Sequence, residues 1–130
     1  MEKPTKLTKK EHKFKLKCFD SANFLNPSLG IRLPIFSIHG NHDDPIGLEM
    51  TSTLDHISTN NYINYFGKVT NIENIVVHPI LFEKGKTKVA IFGIGHMRDE
   101  RLNLAFEQKN IKFKRPNQDK ESWFNILVLH

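Results

Sequence analysis

Asn41, His42, Asp43 and Asp44 occupy four consecutive positions directly after Gly40. Amide, imidazole and carboxylate groups packed this closely can ligate a divalent cation or move a proton near neutral pH. A second imidazole, His130, follows the apolar run Trp123-Phe124-Asn125-Ile126-Leu127-Val128-Leu129 at the far end of the sequence. Such side chains act together only if the fold brings them to one place.

The elements that must position them are short. Residues 35–38 (Ile, Phe, Ser, Ile) predict a strand covered on both faces, and in open α/β sheets ligands gather at the carboxyl ends of such strands. Gly40 permits a sharp turn and a close backbone approach, and Pro45 keeps Asp44 out of the helical region. Residues 123–129 predict a second strand that ends on His130. Were the two strands parallel neighbours, Asn41, His42 and His130 would meet at a sheet end.

Between these ends, Met50, Leu54 and Ile57 fall at helical spacing within residues 47–65, and Asn60-Asn61 ends or interrupts that helix. Residues 75–82 contain Pro79 and predict an edge or interrupted strand, with Lys84-Gly85-Lys86 as a turn. Residues 88–93 predict a further buried strand. Residues 99–109 predict a helix capped by Asp99, with Leu102, Ala105 and Phe106 on one face. Residues 111–116 alternate basic and apolar side chains, and residues 18–33 and 117–122 read as loops.

The chain has 130 residues, 38% of them hydrophobic and 25% charged, the composition of a globular domain and not of a disordered or fibrous one. No apolar run approaches the length that crosses a bilayer. The single Cys18 excludes an internal disulfide and a cysteine-built zinc site, which fits a reducing compartment. Residues 1–17 hold seven lysines against Glu2 and Glu11, so the whole formal charge of +5 sits in that leader. The leader reads as a solvated basic segment, with phosphate binding or nuclear targeting as its functional alternatives, and residues 18–130 form the folded domain.

Gly40-Asn41-His42-Asp43 after a strand resembles a motif of the calcineurin-like metallophosphoesterases. Longer agreement, over residues 34–45, Asp99-Glu100-Arg101-Leu102 after Phe92-Gly93-Ile94-Gly95, and Ser122-Trp123-Phe124-Asn125 leading into His130, resembles the eukaryotic meiotic-recombination-eleven nuclease family. The resemblance implies an α/β fold, part of the metallophosphoesterase sandwich in which two mixed β-sheets are flanked by helices. It implies a manganese-dependent DNA nuclease of double-strand break repair, exonuclease on double strands and endonuclease on single strands. Asn41 and His130 would then be metal ligands, and His42 would contact the scissile phosphate without ligating metal. Asp43 and His39 fall into supporting or loop roles, His39 as a core or supporting histidine and Asp43 and Asp44 as caps or loop residues. His12, His56, His78 and His96 match no ligand position of the family.

The resemblance further implies a nuclear protein that binds DNA, a coiled-coil ATPase and a forkhead-associated adaptor. It also implies a homodimer, to which the helix bearing Met50, Leu54 and Ile57 would contribute, although on pattern alone such a stripe packs on its own core. The family's Asp-x-His and Gly-Asp motifs and its later Gly-His-x-His are missing from this sequence. The chain therefore reads as an internal portion of such a nuclease, inactive alone. Two rival readings stay open: a catalytically incomplete binding or dimerisation segment, and another metallophosphoesterase such as a phosphatase.

Overall fold

The computed structural model describes residues 22–116 and 119–130. The basic leader 1–17 and the start of the loop at 117–122 lie outside the described residues. Among the described residues the architecture is mixed α/β: seven short strands in three small sheets, with two α-helices. Three sheets stand where two are expected from the resemblance.

The chain is organised around β5 (Thr87–Ile94), whose Val89, Ala90, Ile91 and Phe92 supply the bulk a central strand needs. On one side it pairs antiparallel with β4 (Ile80–Lys84) through a turn in which Gly85 takes φ 60°. On the other it pairs parallel with β7 (Trp123–Leu129), in a register that sets Ile94 opposite Leu129. The carboxyl ends of β5 and β7 are therefore level. β3 (Ile75–Val77) and β6 (Ile111–Phe113) form a second, parallel pair. Between β3 and β4 lie His78 and the buried Pro79. Proline cannot donate to a ladder, so the predicted interrupted strand becomes two strands in different sheets.

The core gathers Ile75 and Val77 from β3, Leu81 from β4, Ala90, Phe92 and Ile94 from β5, and Met97, Ala105 and Trp123. Leu102 and Ile111 pack against it. Helix α2 (Asp99–Glu107) contributes Ala105 and Leu102, but Phe106 is 44% exposed and leaves the predicted face. Its N-cap is Arg98, and Asp99 lies in the first turn, where its charge suits the helix dipole without a capping bond. β6 forms where the sequence shows only basic and apolar alternation.

The amino-terminal strand differs most from expectation. β1 is reduced to Phe36–Ser37, half-buried, paired parallel with β2 (Asn64–Tyr65), while Ile35 is 53% exposed. It is not covered on both faces. Helix α1 (Thr53–Thr59) starts at the Ser52–Asp55 capping box, in which Ser52 N–H donates to Asp55 Oδ2 at 2.7 Å and Asp55 N–H to Ser52 Oγ at 3.4 Å. Met50, at φ 50° in the turn before that cap, is outside the helix, so the expected stripe with Leu54 and Ile57 is broken. Leu54 and Ile57 are half-buried. Asn60 closes the helix as expected, followed by Asn61 at φ 61°. Among the described residues no helix is long and apolar enough to cross a membrane.

Candidate functional site

His130 approaches the turn at Gly40 by a route other than sheet neighbours. β1 pairs with β2 and β7 with β5, so Gly40 and His130 do not come from adjacent strands. They meet because residues 38–40 cross over the end of β5. The crossing is tied by His96 N–H donating to the His39 carbonyl at 2.9 Å and Gly95 N–H donating to the Gly67 carbonyl at 2.8 Å.

Glycine is required where these segments touch. A Cβ on Gly95 would overlap the His39 imidazole, and one on Gly93 would overlap the Phe66 ring. Small residues at the end of β5 thus admit the loop that carries Asn41 and His42. The loop itself is a reverse turn closed by Asp43 N–H donating to the Gly40 carbonyl at 3.2 Å. Asn41 and His42 are its two central residues, and both side chains are exposed.

His130 emerges just past the level ends of β5 and β7 and lies against Gly40. A Cβ at position 40 would come 3.0 Å from His130 Nε2 and 3.3 Å from Cδ2. His96, two residues past β5, packs edge to face on the same imidazole, with ring centroids 5.7 Å apart. An amide oxygen such as that of Asn41 and an imidazole such as that of His130 are donor types that divalent metals accept. Among the described residues no group of three or more His, Cys, Asp or Glu side chains could hold a metal.

His39 stands behind the turn, with its side chain 4% exposed. Its Nδ1 lies 2.8 Å from Tyr65 Oη, and its Nε2 lies 3.7 Å from Asp44 Oδ1. Burial holds its pKa below the ordinary value of 6.5, against the opposing pull of the Asp44 carboxylate. A neutral ring with Nε2–H toward Asp44 leaves Nδ1 to accept from the Tyr65 hydroxyl. Burial likewise raises the Tyr65 phenol above its ordinary value. His39 is thus a core group under the loop, and Asp44 faces it. Neither Asp43 nor Asp44 caps α1, because Ser52 and Asp55 do. His96, which matches no ligand position of the family, also lies beside His130. Its signal was positional: it follows Gly95 directly beyond a buried strand.

No family model matches the chain. Individual relatives do. It is 46% identical over 112 residues to the double-strand break repair protein mus-23 of Neurospora crassa, a match covering 86% of this chain and 15% of that protein. It is 45% identical over 117 residues to the double-strand break repair protein MRE11 of Gallus gallus, covering 90% of this chain and 17% of that one. Against MRE11 of Homo sapiens it is 43% identical over 112 residues, 86% of this chain and 16% of that one. The chain thus spans about a sixth of the length of the curated relatives it matches. With identity of this order over nearly nine tenths of its residues, the chain is a homologue of the MRE11 double-strand break repair proteins, corresponding to one segment of them.

Proposed function

We propose that this segment supplies part of the active site of a manganese-dependent DNA phosphodiesterase acting in double-strand break repair. The observation that carries the reading is the meeting of His130 with the Gly40–Asp43 turn, which sets an imidazole beside the turn bearing Asn41 and His42. Asn41 and His130 would hold a metal ion. Divalent metals at such a site lower the pKa of water and neutralise charge on phosphoryl oxygens.

The chain's own residues do the rest. His42, exposed at the tip of the turn and adjacent to Asn41, contacts the scissile phosphate and stabilises charge or transfers a proton in the transition state. Asp43 closes the turn through its backbone. The buried His39 and Tyr65, with the exposed Asp44 facing His39, support the loop. The reading extends to exonuclease action on double strands, endonuclease action on single strands, a nuclear location and a homodimer. It also extends to partnership with a coiled-coil ATPase and a forkhead-associated adaptor. Leu54 and Ile57, half-buried on α1, remain available to the dimer contact, whereas Met50 would join it from the preceding turn.

A second reading is a binding or dimerisation segment without turnover of its own, to which the half-buried Leu54 and Ile57 of α1 would contribute. Incubating the full-length protein with end-labelled duplex DNA and manganese separates the two. Cleavage that chelator abolishes supports the nuclease, and tight DNA or self-association with no cleavage supports the binding segment.

A further inference from the structure

Tyr65 joins three parts of the fold. Its backbone lies in β2, opposite Ser37 of β1. Its N–H donates to Ser58 Oγ of α1 at 3.4 Å. The residue is 4% exposed, and its ring stands edge to face on the His39 imidazole, with centroids 5.9 Å apart and planes at 75°. At the tip of that ring, Oη lies 2.8 Å from His39 Nδ1. Burial raises the phenol's pKa and the hydroxyl of Ser52, the residue that caps α1, pulls it the other way, so the same oxygen also faces the start of the helix.

His39 in turn holds both flanks of the turn that carries Asn41 and His42. It precedes Gly40 directly, and its Nε2 lies 3.7 Å from Oδ1 of Asp44, the residue after the turn closed by the Asp43 N–H and the Gly40 carbonyl. Its imidazole fills the space over Gly95 that a Cβ there would need, and its carbonyl accepts from His96 N–H. The hydrogen bond made by one nitrogen of a neutral imidazole decides where the ring proton sits. With Nδ1 accepting from the Tyr65 hydroxyl, the proton is on Nε2 and faces Asp44. Removing the hydroxyl frees the ring to exchange tautomers and loosens its hold on Asp44.

We propose that Tyr65 is a positioning residue for the candidate reaction: by fixing the His39 ring it sets the turn from which His42 meets the phosphate, and it ties that turn to helix α1. This rests on the reading of His42 as the group that acts on the phosphate. Tyr65 lies under the turn, so its effect passes through His39.

The test compares the full-length protein with its Tyr65→Phe, Ser58→Ala and Ala105→Gly variants at a temperature well below unfolding. Ala105 is a buried residue of α2, so its replacement lowers stability without touching the turn. Hydrogen–deuterium exchange is followed in the peptide spanning residues 40–46, and single-turnover cleavage of end-labelled duplex DNA with manganese is measured beside DNA affinity. Tyr65→Phe should speed exchange in the turn and lower cleavage about ten- to a hundredfold, the scale of an ångström of misplacement, with DNA affinity unchanged. Ser58→Ala should move both in the same direction by less, and Ala105→Gly should move neither. Unchanged turn exchange or unchanged cleavage in Tyr65→Phe, or an equal response in Ala105→Gly, would overturn the proposal while leaving the nuclease reading in place. No response in Ser58→Ala would overturn the tie to α1. Absence of cleavage by the unaltered protein would overturn the nuclease reading, and the catalytic part of the proposal with it.

Discussion

The Nε2 edge of His130 lies against Gly40, where any side chain would come within 3.0 Å of that nitrogen. Gly40 is not among the glycines with positive φ, so alanine can adopt its backbone conformation. The substitution therefore acts through the contact alone. Gly40→Ala should leave the thermal unfolding midpoint nearly unchanged and weaken manganese binding about tenfold or more, by displacing the imidazole. A calorimetric titration beside a thermal melt checks both halves.

The buried pair behind the turn makes a separate prediction about stability. Tyr65 Oη and His39 Nδ1 are 2.8 Å apart, in a site that excludes water. Tyr65→Phe removes the hydroxyl and leaves a buried ring nitrogen unpaired, which costs about 1–3 kcal/mol. Urea unfolding should show a lower midpoint with an unchanged slope. Tyr62→Phe, at an exposed position, should show no such shift.

Asp55 links α1 to the chain that follows β2. Burial pushes its pKa up, but the bond from Ser52 N–H and the Lys68 ammonium, 3.0 Å away, outweigh that and hold it below the ordinary 3.8. A depressed carboxylate pKa means that the unfolded chain takes up the proton first. Its stabilisation is therefore complete above pH 3.8 and is lost as pH falls from there through the lowered value. Asp55→Asn should destabilise the protein by about 1 kcal/mol at neutral pH and flatten the acid limb of its stability profile. Denaturation midpoints collected between neutral and acid pH measure both effects.

How much of this was legible in the sequence differs from element to element. β5 was clear because Val89, Ala90, Ile91 and Phe92 form an uninterrupted apolar run, and the break at Pro79 was clear because proline cannot join a ladder. β1 was over-read. Its apolar residues suggest a buried strand, but the ladder there is two residues long and Ile35 faces solvent. Periodicity placed Met50 in a helix, yet the Ser52–Asp55 reciprocal bonds start that helix later, a local signal stronger than spacing.

For the candidate site, the residue types of Asn41, His42 and His130 suggest chemistry, and only the resemblance to a nuclease family gives them roles. The approach of His130 to Gly40 was not legible as it occurs, since it depends on a crossing over β5 that Gly93 and Gly95 permit and not on adjacent strands. The pairing of His39 with Tyr65 and the contact of His96 with His130 are likewise consequences of tertiary register. No local pattern encodes them.

The central proposal is a division of labour between the turn and the end of β7: Asn41 and His130 would hold metal, and His42 would act on the phosphate. It is tested most directly by measuring manganese affinity, DNA affinity and single-turnover cleavage in the full-length protein for Asn41→Ala, His130→Ala and His42→Asn. A group acting only in the transition state lowers turnover without lowering affinity, by about a hundred- to ten-thousandfold for acid–base work. His42→Asn should therefore lose cleavage on that scale while binding manganese and DNA normally, and the other two should lose manganese affinity, with excess metal restoring part of their activity. If His42→Asn loses manganese to the same extent as Asn41→Ala and His130→Ala, the division between ligand and catalyst is contradicted.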